Sequence, residues 1–144
     1  MGPKSNVLYG YKDWDRNTVE ELRKYTNRPI LYRPKPSDKH PLDIEGATTV
    51  DSSLPLMAHL RGAHAVVTHH SNVGCDALLE GIPVFSRYGP ARYMSNPLQM
   101  IEEPLYSERK PFFNRLAYCQ WSLSEMSSGQ AWDWLRNFHL GVAG

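Results

Sequence analysis

The sequence predicts an α/β fold, and three observations predict it. Short apolar runs such as "PILY", "AVVT" and "IPVF" are bounded by proline, glycine or polar clusters, as strands are. Amphipathic segments with helix spacing lie between them. The runs are continuous rather than alternating, which suits strands covered on both faces and therefore a mainly parallel sheet with right-handed crossovers.

Taken in order, "NVLYGY" (Asn6 to Tyr11) is expected to be a strand. "DWDRNTVEELRKYTN" is expected to be a helix: Asp15 can cap it, Val19, Leu22 and Tyr25 share one face, and Glu20 can pair with Lys24 at i,i+4. The strand "PILYR" follows and is stopped by Pro34 and Pro36 in "RPKP", since proline lacks an amide donor. "SDKHPLDIEGA" is a loop, "TTVDS" a short strand, and "LPLMAHLRG" a helix opened by Ser53 and Pro55 and closed by Gly62. "AVVT" is a buried strand, Ser71 or Asn72 a cap, "VGCDALLE" a helix stopped by Gly81, and "IPVF" the last strand.

This rhythm gives a Rossmann-like sheet of about five strands flanked by helices, over about residues 6–88. "SRYGPARYMSNP" is a loop. "PLQMIEEP", "PFFNRLAYCQWSL" and "GQAWDWLRNF" form a helical tail over about residues 97–140, with Ser124 to Gly129 as a turn.

A chain of 144 residues, 41% hydrophobic, is long enough for one domain and short for two. Sixteen Lys and Arg against fifteen Asp and Glu leave a net charge of +1, which favours neither nucleic acid nor an anionic membrane. Any anion site is therefore local. Cys75 and Cys119 have no metal-ligand spacing, and there is no signal peptide or long apolar run, so a soluble, reducing, cytoplasmic setting is expected.

Ligands of parallel α/β sheets bind outside the carboxyl ends of the strands. Each expected strand delivers polar residues there: Tyr11-Lys12, Arg33-Pro34-Lys35, Asp51-Ser52-Ser53, His69-His70-Ser71-Asn72 and Ser86-Arg87-Tyr88. The amides of Val73, Gly74 and Cys75, at a helix start, are expected to face a phosphate, with Gly74 allowing close approach. Simple N-capping explains Ser71 and Asn72 equally well. Arg33 and Lys35, two apart across a proline, present two cations to the same edge, although either alone could serve a surface ion pair.

His59, His64, His69 and His70 lack a metal-binding pattern, so no metal is expected, and one of His69 and His70 is expected to bond a ligand oxygen. Cys75 reads as a packing residue whose thiol a helix start would acidify. Glu80 is placed to bond a ribose hydroxyl, or is an ordinary exposed carboxylate.

"VVTHHSNVGCDALLEGIPVF" resembles the nucleotide-sugar-binding segment in the C-terminal half of GT-B glycosyltransferases. "RPKP" resembles a strand end of capsule-polysaccharide transferases, and "LAYCQWSLSEMSSGQAWDWL" is similar to the C-terminal segment of glycosyltransferase-like proteins of phages and bacteria. The likeness runs from about Asn6 to Phe138. It implies a nucleotide-sugar donor held between Arg33, Lys35, His70, Ser71, Asn72 and Glu80, with no cofactor or metal. A complete enzyme of this type is about twice as long. The resemblance therefore implies the donor half, with the general base supplied by another chain, by a missing segment, or by His69 or His70.

The alternative is a catalytically inactive module that binds a nucleotide or a partner, such as a phage protein acting on a host factor. A homodimer built on Trp121, Trp132 and Trp134 is a third expectation, set against packing of these residues in a core.

Overall fold

The computed structural model describes residues 13–138. The strand expected over Asn6 to Tyr11 lies outside them. The chain divides between Ser107 and Glu108 into two units, each described by itself.

Helix α1 (Trp14–Arg23) forms where the apolar spacing places it, with Val19 and Leu22 buried three residues apart and Tyr25 packed beside Leu22. Its start differs from expectation. Asp13, in the left-handed region at φ 59°, is the capping position and makes no side-chain cap bond. Asp15 lies in the first turn, where its carboxylate accepts from the Tyr32 hydroxyl at 3.4 Å. Lys24 pairs with Glu21 at 2.5 Å instead of Glu20. Glu21 also accepts from the Tyr25 hydroxyl at 2.9 Å, which holds the carboxylate on that side.

Strands β1 (Leu31–Tyr32) and β2 (Thr48–Thr49) pair in parallel, Leu31 opposite Thr48. The prolines of "RPKP" end β1, and Ile44, 1% exposed, anchors the loop between the strands. Helix α2 (Leu56–Leu60) starts at Pro55 without the side-chain cap expected of Ser53, whose amide instead donates to Asp51.

Strands β3 (Val66–Thr68) and β4 (Val84–Ser86) pair in parallel through the crossover helix α3 (Val73–Leu79). All three residues of β4 are buried, as the continuous apolar pattern requires. Gly81, at φ +83°, ends α3: its amide donates to the Leu78 carbonyl and that of Ile82 to the Ala77 carbonyl, the paired closure for which glycine is suited.

Beyond β4 lie two 3-10 turns, Pro90–Met94 and Leu98–Met100. The second is all that forms of the helix expected in "PLQMIEEP", a segment bracketed by Pro97 and Pro104. The core of this unit is Leu22, Phe85 and Ile101, with Ile30, Val67 and Leu98 packed against them, so it draws on residues next to both ladders. The unit is α/β with short parallel strands. Its strands, among the described residues, form two separate two-stranded ladders.

The second unit carries helices α4 (Lys110–Tyr118), α5 (Leu123–Ser127) and α6 (Gln130–Phe138). The turn expected over Ser124 to Gly129 is mostly helical, because Ser122 and Glu125 close a reciprocal capping box. Trp121 and Trp134 pack ring to ring at 5.5 Å, while Trp132 is 59% exposed. Among the described residues no helix is long and apolar enough to cross a membrane.

Candidate functional site

The ladder of β3 and β4 continues past the strands themselves. Arg87 N–H donates to the Thr68 carbonyl at 3.2 Å, and Tyr88 N–H to the His69 carbonyl at 2.7 Å. His69-His70 and Arg87-Tyr88 are therefore carried side by side at the carboxyl edge. Two features fix the second arm. The Ser86 hydroxyl donates to the Tyr88 carbonyl at 2.7 Å, and Gly89 turns at φ +78° where a Cβ would stand 3.0 Å from the His70 carbonyl oxygen.

His69 is buried, with its ring 5.0 Å from those of Trp14 and His70 and 5.1 Å from that of Tyr88. Its Nδ1 lies 2.8 Å from Nδ1 of His70, so a single proton bridges two imidazoles. Burial, then the charges of His70 and Arg87, pull the His69 pKa down. His70 beside it is exposed. Next to them the Arg87 guanidinium sits 5.7 Å from the Tyr88 ring centre. A hydrogen bond and the charge from Arg87, with a contribution from Arg92, hold the Tyr88 phenol below its usual range.

The helix start behind this edge is occupied by its own bonds. Val73 N–H donates to Ser71 Oγ at 3.2 Å, Gly74 N–H to the Ser71 carbonyl at 3.2 Å, and Cys75 N–H to the Asn72 carbonyl at 2.8 Å. A phosphate would have to displace these bonds, contrary to the expectation of open amides. Ser71, Asn72 and Glu80 are exposed, and Ser71 N–H donates to Thr68 Oγ1 at 3.3 Å. Gly74 is buried for a different reason from the one expected: an added Cβ would lie 2.6 Å from the Cβ of Ala91. Burial, then Asp76, pushes the Cys75 thiol up, so the helix start does not acidify it.

Arg33 is also engaged. Its guanidinium donates to the carbonyls of Ser52 and Leu54 at 3.1 and 3.0 Å and to His59 Nδ1 at 2.8 Å. Guanidinium only donates, so Nδ1 of His59 is the acceptor. Arg33 thus ties the end of β1 to the loop before α2. Lys35 is exposed and remains available at the same strand end.

The four histidines go to different partners: His59 to Arg33, His64 Nε2 to the Ile101 carbonyl at 2.6 Å, and His69 to His70. Among the described residues no three His, Cys, Asp or Glu side chains are grouped to hold a metal. A cavity of about 550 Å³ lies elsewhere, lined by Arg23, Arg28 and Glu102 among others. Its arginines are tied down, Arg23 to the Arg28 and Gly46 carbonyls at 2.7 and 2.6 Å and Arg28 to Glu102 at 3.0 Å.

The structure thus gathers His69, His70, Ser71 and Asn72 with Trp14, Arg87 and Tyr88. Trp14 gave no sequence signal beyond its place in a helix. Arg87 and Tyr88 were legible as polar residues after a strand, and only the ladder places them against the histidines. Asp15 is a further addition: half-buried, its carboxyl is raised by burial, while Tyr32 is pushed up to about 12 by burial and then by Asp15. Tyr32 therefore keeps its proton and donates it to Asp15.

No family model matches the chain, and neither a curated protein nor a solved structure matches it.

Proposed function

We propose that the chain is a nucleotide-sugar-binding domain of the glycosyltransferase type, holding a nucleoside diphosphate at the carboxyl edge of β3 and β4. The observation that carries this is the pairing of His69-His70 with Arg87-Tyr88 on adjacent parallel strands, an imidazole pair beside a cation and an aromatic ring. The two ladders belong to one Rossmann-like sheet of about five strands. Both ladders being parallel and drawing on one core supports this. Ligands of such sheets lie outside the carboxyl ends of the strands.

In transfer, the bond from the sugar's anomeric carbon to the diphosphate breaks, the acceptor hydroxyl oxygen bonds to that carbon, and the hydroxyl proton passes to His70. His69 holds His70 through the shared Nδ1 proton and leaves its Nε2 for the exchange. The charge left on the diphosphate falls to Arg87 and Lys35.

A second reading, a binding module without turnover, is favoured by the engaged amides of Val73 to Cys75 and by engaged Arg33, which leave less preorganised positive potential than catalysis uses. Thermal denaturation with UDP, GDP, CMP, ADP and their sugar conjugates tests both. A ligand at about 100 times its Kd adds about 2.7 kcal/mol. Stabilisation with sugar release or transfer supports the enzyme, stabilisation alone supports the binding module, and no stabilisation by any of them removes the nucleotide site.

A further inference from the structure

Only one hydrogen fits between the nitrogens that His69 and His70 turn to each other, Nδ1 to Nδ1 at 2.8 Å. In the neutral pair one ring donates from Nδ1, and the other, carrying its hydrogen on Nε2, accepts. A first added proton goes to Nε2 of the donor, and the bond survives as an imidazolium donating to an imidazole. A second has only the accepting Nδ1 left to enter. Two N–H groups then face each other, the bond is lost, and like charges stand on rings whose centres are 5.0 Å apart.

The surroundings of His69 resist that second charge. Its ring is buried between those of Trp14, at 5.0 Å, and Tyr88, at 5.1 Å, and the Arg87 guanidinium already lies 5.7 Å from the Tyr88 ring centre. The other charged groups on the elements packed here are Asp13, Asp15 and Arg16 at the start of α1 and Asp76 in the first turn of α3. Asp15 is bonded to Tyr32, and what acts on His69 is burial, then the charges of His70 and Arg87, all against a proton.

The two rings on either side of His69 are held differently. Tyr88 is fixed through its backbone: its N–H donates to the His69 carbonyl and its carbonyl accepts from the Ser86 hydroxyl, both at 2.7 Å. Trp14 opens α1, which is anchored further along by buried Val19 and Leu22. Loss of the Trp14–His69 contact therefore frees the first turn without unseating the rest of the helix.

We infer that the His69–His70 pair is an acid-released latch: sharing one hydrogen, it keeps Trp14 and the first turn of α1 on the carboxyl edge of β3, and double protonation releases them. The latch is independent of the nucleotide proposal.

Imidazole, indole and amide resonances of the full chain, followed from about pH 8 to about pH 5, test it. The pair is expected to titrate in two steps, the second below the ordinary histidine value of 6.5, and the Trp14 indole N–H moves with the second alone. With it the Asn17 amide, bonded to the Asp13 carbonyl at 2.9 Å, loses protection from exchange by about 10-fold or more, while the Val66 and Tyr88 amides of the ladder keep theirs. His70→Gln can still bond His69 Nδ1 and cannot become charged, so Trp14 and Asn17 should keep their signals throughout. His70 is exposed, and the variant's amide spectrum at about pH 8 checks its fold, with His70→Asn as the second substitution. A Trp14 indole that stays unmoved through both steps overturns the latch. So does the same transition in the His70 variants, or loss of protection at Val66 and Tyr88 together with Asn17, which is unfolding of the whole unit.

Discussion

Replacing Gly74 with alanine tests whether α3 is seated on the β3–β4 ladder as closely as the structure places it. On an exposed helix this change would stabilise by about 1 kcal/mol. Here the new Cβ would lie 2.6 Å from the Cβ of Ala91 and 3.4 Å from methyl carbons of Thr68 and Val84. Carbon atoms pack at about 3.5–4.0 Å, so helix and turn must separate by about 1 Å. The Ala91 methyl is bonded to the backbone and 1% exposed, and cannot rotate away. Overpacking costs about 1–3 kcal/mol, and a 2.6 Å approach to a methyl that cannot rotate away belongs in the upper part of that range, about 2–3 kcal/mol, which leaves a net loss of about 1–2 kcal/mol and a fall in Tm of about 4–8 °C. Urea and thermal denaturation read it. Ala91→Gly removes the opposing methyl, so the double variant should recover a coupling of about 1 kcal/mol. A Gly74→Ala chain as stable as wild type, or additive behaviour in the double variant, would refute close packing. Loss of nucleotide affinity at unchanged stability would instead restore the phosphate-approach role for this glycine.

Three further perturbations probe the same unit. Because His69 has a depressed folded-state pKa, the unfolded chain takes up the proton first: stability is full above about pH 6.5 and falls as pH drops below it. His69→Gln should flatten this dependence in urea titrations at several pH values, and an unchanged slope would place its origin elsewhere. Arg33→Ala removes three guanidinium bonds and should destabilise by about 1–3 kcal/mol; undiminished stability would show that the guanidinium is free for a ligand. Gly89→Ala meets both an unfavourable φ and the His70 carbonyl, and should cost about 1–3 kcal/mol while shifting the His70 ring resonances. Native-like histidine spectra would deny the loop its positioning role.

The parallel strands were legible because "AVVT" and "IPVF" are apolar without alternation, and a glycine stop between them marks a crossover helix. Neighbour choice was less legible. Spacing allowed Lys24 either Glu20 or Glu21, and the Tyr25 hydroxyl, bonded to Glu21, marks the side on which the pair forms. Asp15 looked like a cap because it precedes Val19 by one turn, but the chain enters the helix two residues earlier, at Asp13. The Ser122 capping box was written in the sequence as Ser-Leu-Ser-Glu and was overshadowed by the serine-rich turn signal after it.

At the site, sequence could deliver residues to an edge without showing which of their groups are already bonded. The amides of Val73 to Cys75 answer to Ser71 and Asn72, and Arg33 to carbonyls 19 and 21 residues away. Gly74 owes its identity to Ala91, seventeen positions later in the chain and invisible to local pattern.

The most direct measurement is the map of backbone amide and histidine ring resonances perturbed by a nucleoside diphosphate. Perturbations concentrated at His69, His70, Arg87 and Tyr88 are the predicted result. Perturbations centred on Arg23 to Arg28, or none at ligand concentrations well above about 1 mM, would contradict a nucleotide site at the carboxyl edge of β3 and β4.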